Sequence, residues 1–301
     1  MKKFLSVLMA GAMLFGVLTL AGCGDTTTDT GEDTTTTEDT TTTAEFTTVT
    51  EGVLTMSTNA AFPPYEMTDD SGNIVGIDAE IAAAIAEKLG LELQINDMDF
   101  DGALAAPQSG KSDIVMAGVT VNEERQLVLD FTETYANGVQ KVIVAEGSDI
   151  TMENLGEQQI GTQKGTTGNI LTTDEFGEDH VIAYDDAIAA VQALNNGQID
   201  CVVIDSAVAD NLVEANPGLT TLDTDYANEE YAIGVAKGNT ALLDAINTAL
   251  QELIDDGTVQ SIIDKYIPTD GTAADEAGTT DEAGATDEAG ATDGAEADTA
   301  A

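Results

Sequence analysis

Residues 116–131 read MAGVTVNEERQLVLDF and hold the only arginine of a 301-residue chain. The other eight basic residues are lysines, set against 56 aspartates and glutamates. Either cation can make a surface ion pair. A guanidinium differs in presenting a planar fork that grips a carboxylate through two parallel bonds and stays charged out of water. Arg125 therefore admits two readings: a clamp for a carboxylate, or a first-turn helix residue paired with its neighbours Glu123 and Glu124. Asp205 closes the apolar run CVVID. A lone aspartate there is a cap or turn residue, or a carboxylate presented at a strand end. The loop GTQKGTTG is glycine-rich, but it lacks the GKS/T sequence of a phosphate cradle. His180 stands alone in EDHVIAY and reads as a surface-loop residue. Paired Cys/His spacing, HExxH and GxSxG do not occur, so no metal ligand set, cofactor motif or nucleophile with a base is expected. The chemistry on offer is ion pairing.

Those groups need a scaffold. GVLTMS reads as a strand, and GIDAEIAAAIAEKLG as an amphipathic helix with Ile77, Ile81, Ile85 and Leu89 four residues apart and Gly90 as its stop. Strand signals recur in residues 91–95 and 112–118. A second set follows: VQKVIVAEG, the loop at 161–168, the helix DDAIAAVQALNNG, the buried strand IDCVVIDS, a helix around 207–215 and the strand EEYAIGVAKGN. Two helices in NTALLDAINTALQELIDDGTVQSIIDKYI close the pattern. Alternation of strand and helix implies α/β lobes, each with a mainly parallel sheet flanked by helices. Two extended segments, near 139–145 and 231–236, join them.

The ends of the chain read differently. Residues 1–22 form a signal peptide: Lys2 and Lys3, an apolar run, then LAG before Cys23. LAGC resembles the bacterial lipobox, which implies cleavage before Cys23 and lipidation of its thiol. Residues 23–50 are threonine, aspartate and glutamate for the most part and read as a disordered tether. Residues 269–301 repeat DEAG and read as a disordered acidic tail. Cys201, inside the apolar run, reads as a small core residue, so no disulfide framework holds the fold. A formal net charge of −47 argues against nucleic acid as a partner.

AAFPPYEM, GIDAEIAAAIAEKLG, MDFDGAL, SGKSDIVMAGVTVNEER, LDFTETY, GTQKGTTG and DGTVQSIIDKY stand in the order found in family 3 extracellular solute-binding proteins, and the chain resembles that family over residues 52–268. The resemblance implies a two-lobe clamp of the periplasmic-binding-protein type: 51–138 as the first part of lobe 1, 139–232 as lobe 2, and 233–268 completing lobe 1. It implies a monomeric, lipid-anchored receptor on the outer face of the cytoplasmic membrane that binds a free amino acid and delivers it to an ABC permease. Arg125 falls on the family's carboxylate-gripping arginine and Asp205 on the acid that holds the α-ammonium. Ala117, Gly118 and Thr120 approach the ligand's carboxylate, Phe62 and Phe100 pack on its side chain, and Gln163, Thr166 and Thr167 reach it from the other lobe. Asn59 stands where binders of basic amino acids often carry an acid, and this neutral amide together with Gln163 and the two threonines points to a polar, uncharged side chain. Two alternatives accompany this reading: a sensory ligand-binding module, and a cleft enzyme such as a small-acid dehydratase. The second lacks the acid/base pair it would need.

Overall fold

The computed structural model describes residues 46–223 and 225–268. The signal peptide, Cys23, residues 24–45 of the tether and the acidic tail lie outside the described residues. The elements in chain order are β1 Val53–Thr58, β2 Ala61–Phe62, β3 Glu66–Thr68, β4 Ile74–Val75, α1 Ile77–Leu89, β5 Glu92–Asp97, α2 Phe100–Ala105, β6 Ile114–Val115 and β7 Leu129–Ala145. Then come β8 Ile160–Gln163, α3 Thr167–Phe176, β9 Val181–Tyr184, α4 Ala187–Asn195, β10 Cys201–Asp205, α5 Ser206–Ala215, β11 Leu219–Thr221, β12 Ala227–Ala236, α6 Thr240–Asp255 and α7 Thr258–Tyr266.

The main sheet runs β5-β1-β6-β12-β7-β10-β8-β9, with β11 added to β7. Its two ends are the two lobes. In the first, β5, β1 and β6 are parallel, and in the second so are β10, β8 and β9. β7 and β12 are antiparallel to each other and run through both lobes. Their ladder slips in register between Tyr231 and Ala232 and again before Gly234, opposite Thr134 and Ala136. There the two strands cross from one lobe to the other. β7 is seventeen residues long, and its first half, LDFTETYANG, carries no clean alternation that marks it as a strand.

Alternation elsewhere sends residues to opposite faces. Val142, Val144, Cys201 and Val203 pack in one cluster with Leu155 and Ile160, while Ile143, Val202 and Ile204 join the large core on the other face. Cys201 is fully buried, and burial pushes its thiol up to about 12. In α1, Ile77, Ile81 and Ile85 are fully buried and Leu89 packs against the core, and Gly90 closes the helix in the left-handed region (φ 69°). α6 and α7 return to the first lobe, where Lys88 pairs with Glu252 and Lys265 with Glu80.

The last part of the expected tether is held. Phe46 packs on the core, and the Val49 N–H donates to the buried Asp113 carboxylate (2.6 Å), which also takes the N–H and hydroxyl of Thr55. The structured part thus begins before residue 51, because Asp113 needs donors that β1 alone does not supply.

Candidate functional site

Between the lobes lies a cavity of about 380 Å³, its mouth included. All eleven residues singled out from the sequence line it. They come from the ends of strands and the loops that follow them, which is where α/β sheets present their ligand sites.

The first lobe supplies the cation. Arg125 is only 7 % exposed and opens a short 3-10 turn, Arg125–Leu127, rather than the α-helix expected. The Asn122 side chain accepts its N–H (2.8 Å) and fixes that turn. Three residues cannot build a helix dipole, so the site's positive charge is the guanidinium itself. It donates to the carbonyls of Thr120 (2.8 Å) and Gly165 (3.1 Å) and lies over the Phe100 ring, 5.3 Å from its centroid. Glu123 and Glu124 are exposed, and Arg125 makes no ion pair among the described residues. Burial lowers its pKa, and the nearby Glu229 charge works the other way. A buried guanidinium with two of its five N–H donors on neutral carbonyls is suited to an anion.

Ala117 and Gly118 form the adjoining wall. Gly118 has φ 54°, and a Cβ there would sit 2.8 Å from the Phe62 ring, so only glycine lets ring and backbone approach. Thr120 differs from expectation. Its hydroxyl donates to Glu229 (2.6 Å) and accepts from Thr167 (2.9 Å), so it is engaged on both sides.

Asp205 faces the cavity from the end of β10 and is fully buried. It is a helix cap that also lines the cavity. One oxygen caps α5 by accepting from the N–H groups of Ala207 (2.9 Å) and Val208 (3.2 Å), and the other accepts the Tyr231 hydroxyl (3.0 Å). Burial pushes its carboxyl up to about 6, against the pull of those bonds.

The second lobe closes over the first through direct bonds. Gln163 donates to Asn59 (2.8 Å), which in turn donates to the Met98 carbonyl (2.8 Å). Thr166 caps α3 and holds the loop by donating to the Gln163 carbonyl (2.8 Å). Lys164 pairs with Asp101 across the mouth (2.6 Å). Both partners there are exposed, so the pair contributes little energy.

Five lining residues were not in the sequence-derived set: Glu66, Gln140, Ile204, Glu229 and Tyr231. Glu229 accepts from Thr120 and Gln140, and the one Tyr231 hydroxyl proton is shared between it (3.1 Å) and Asp205 (3.0 Å). Glu229 and Tyr231 share a face of β12 at a spacing of two, the one sequence signal that could have joined them. Among the described residues no cluster of three or more His, Cys, Asp or Glu is placed to hold a metal. His180 sits on a short turn after α3, half-buried and away from the cavity.

The profile of the bacterial extracellular solute-binding proteins, family 3, matches residues 54–269. The chain is 30 % identical over 225 residues to the L-cystine-binding protein TcyJ of Escherichia coli K12, covering 73 % of this chain and 85 % of that one. Among solved structures it is similar to an ancestral arginine-binding protein bound to glutamine, at 39 % identity and TM-score 0.69, over 72 % of this chain and 99 % of the other. It is also similar to holo ArgBP from T. maritima, at 38 % identity and TM-score 0.65, over 70 % and 95 %. The chain belongs to the family 3 bacterial extracellular solute-binding proteins, which bind solutes and are not enzymes.

Proposed function

We propose that the protein is the amino-acid receptor of an ABC importer and takes one free α-amino acid with a polar side chain into the cleft. The observation that carries this is the pairing of opposite charges on facing walls. Arg125 stands buried in the first lobe without a carboxylate partner among the described residues, and Asp205 stands buried in the second. A zwitterion placed between them satisfies both. Glu229 sets a second acid near the ammonium end and repels anions that lack one. The relatives named for cystine and arginine, and the ancestral protein bound to glutamine, support an amino acid as ligand. Closure brings both lobes onto the ligand, so binding selects the shape that the permease reads. The expectation of an uncharged side chain rests on Asn59, Gln163, Thr166 and Thr167 together.

The test is a thermal-shift screen of the twenty amino acids and cystine. A ligand at a hundred times its dissociation constant raises stability by about 2.7 kcal/mol. A screen in which no amino acid shifts the melt overturns the proposal.

The receptor works as a monomer held to the membrane by lipid on Cys23. Its −47 charge opposes self-association, which sedimentation at low salt checks. C23S removes the acceptor thiol, and the variant is expected in the soluble fraction or the medium. Single acyl chains hold weakly, so the expected anchor carries two. Membrane retention of a processed C23S protein would sink the anchor.

A further inference from the structure

Asp78 does not line the cavity, yet it is fully buried behind the cavity's wall, in the first turn of α1. A carboxylate is costly to bury unless donors surround it. Three groups converge on this one. One oxygen accepts the N–H of Gly118 (3.0 Å), the wall residue whose left-handed backbone meets Phe62. The other accepts the hydroxyl of the buried Tyr135 (2.7 Å). Glu66 is the third. Neither of its oxygens receives a hydrogen bond from a donor among the described residues. Burial and then the Asp78 charge push its carboxyl well above the usual range, so it keeps its proton and turns it on Asp78. Burial lifts the Asp78 carboxyl to about 6 and the three bonds work against it, so near neutral pH the charge sits on Asp78.

Tyr135 stands where the strands cross between the lobes. Tyr231 and Ala232 of β12 pair with Ala136 and Thr134 of β7, so Tyr135 between them is left out of the ladder as the extra residue of a bulge. Its side chain reaches Asp78 instead. The other crossing strand meets the same wall through main chain: the Ala232 N–H donates to the Val119 carbonyl (3.1 Å) and the Val121 N–H to the Glu230 carbonyl (3.1 Å). Residues 118–121 are thus bonded to β12 by backbone and to β7 through the Asp78 carboxylate. The Gly118 N–H is engaged behind the wall and is not offered to a ligand's carboxylate.

We propose that Asp78 is a positioning residue that couples filling of the cavity to the lobe crossing: it holds the ligand-facing backbone at Gly118 to the bulge of β7 at Tyr135, so that the wall and both crossing strands move as one body. This rests on the amino-acid-receptor reading above and adds the contact through which an occupied wall acts on the strands between the lobes.

The experiment is amide hydrogen exchange of the full chain near pH 7, read residue by residue by NMR. The Gly118 N–H reports on the wall. The Ile233 N–H, which donates to the Thr132 hydroxyl of β7 (3.0 Å), reports on the crossing. The Glu92 N–H, bonded to the Gly52 carbonyl just before β1 (2.9 Å), is the control. Y135F keeps the ring and removes one hydroxyl. In D78N a single carbonyl oxygen cannot take both donors. Without ligand, both variants are expected to leave Glu92 unchanged and to speed exchange at Gly118 roughly tenfold or more, because the group that holds it has lost a partner. Saturating arginine or glutamine is expected to slow Gly118 and Ile233 of wild type by the same factor. In Y135F the ligand is expected still to slow Gly118 but to slow Ile233 roughly tenfold less, and both affinities are expected to fall together with their ratio unchanged. Different factors at the two amides of wild type overturn the proposal, as does an unmoved Gly118 in a folded Y135F or D78N. The wild-type comparison decides if neither variant folds. If neither amino acid binds, the unliganded comparison decides the role of Asp78, and the melting screen separately decides the receptor reading.

Discussion

R125A is expected to lose amino-acid binding by about 2–5 kcal/mol, roughly thirtyfold to several-thousandfold, with its fold intact. The ligand's α-carboxylate enters a cleft from which water is excluded, and without the guanidinium it is left desolvated and unpaired. The unliganded variant should melt at or slightly above the wild-type temperature, because Arg125 is a buried cation whose listeners in the protein are two carbonyls and a ring. R125K keeps the charge and loses the fork, so its affinity should fall between the two. Amino-acid amides lack the carboxylate. They should bind wild type poorly and lose little further in R125A. Titration calorimetry of a ligand and its amide, with melting curves of both proteins, checks all of this. A variant that binds normally and melts much earlier would return Arg125 to a structural part.

The second large effect belongs to Asp205 and carries a pH signature. D205N keeps the cap on α5, since asparagine caps as well as aspartate, and removes the charge that meets the ammonium. Every amino-acid ligand should weaken together, by about 2–4 kcal/mol, without a change of preference. With a neutral ligand, wild-type affinity should be flat above about pH 7 and fall below about pH 6, where the raised carboxyl takes up a proton. D205N should be flat through the same window. Unliganded stability moves the opposite way. A carboxyl whose pKa is raised by folding binds its proton more tightly in the folded chain than in the unfolded one. Wild type should therefore gain on D205N as the pH falls from about 7 toward 4. Paired melts across that range, beside titrations with glutamine, read both signs. Affinity that ignores pH in wild type would show that the Asp205 charge does not meet the ligand.

Much of the scaffold was legible because local patterns and burial agree. In α1 the isoleucine spacing, the glycine stop and the buried face coincide, and the apolar run around Cys201 is the buried strand β10. The eleven site residues were placed through the family's motifs, not by spacing alone, and they do meet in one cavity. What stayed hidden depends on how the sheet closes. Glu229 and Glu230 are neighbours of the same type, yet the first is 4 % exposed and the second points outward. Nothing local separates them. Glu229 is buried because Gln140, 89 residues away, and Thr120, 109 away, come to meet it. Glu66 was hidden likewise, as a charged residue in a turn-rich stretch that carries no mark of its burial. Arg125 was expected at a helix start and instead sits on a three-residue turn, since Asn122 and the Val128 N–H close the backbone early.

The strand pair that crosses between the lobes also lines the cavity through Gln140, Glu229 and Tyr231. A ligand seated there touches the fulcrum of a lever. Tyr231 lies at the register slip, so a contact made there bears on the strands that enter both lobes. At the register slips the ladder loses regular bonds, and the ribbon's twist is locally stronger. The Lys164–Asp101 pair bridges the lobes beside the same cavity, each partner next in sequence to a lining residue, Gln163 and Phe100. An exposed ion pair there adds little to closure, so the contacts that decide it are those at the ribbon.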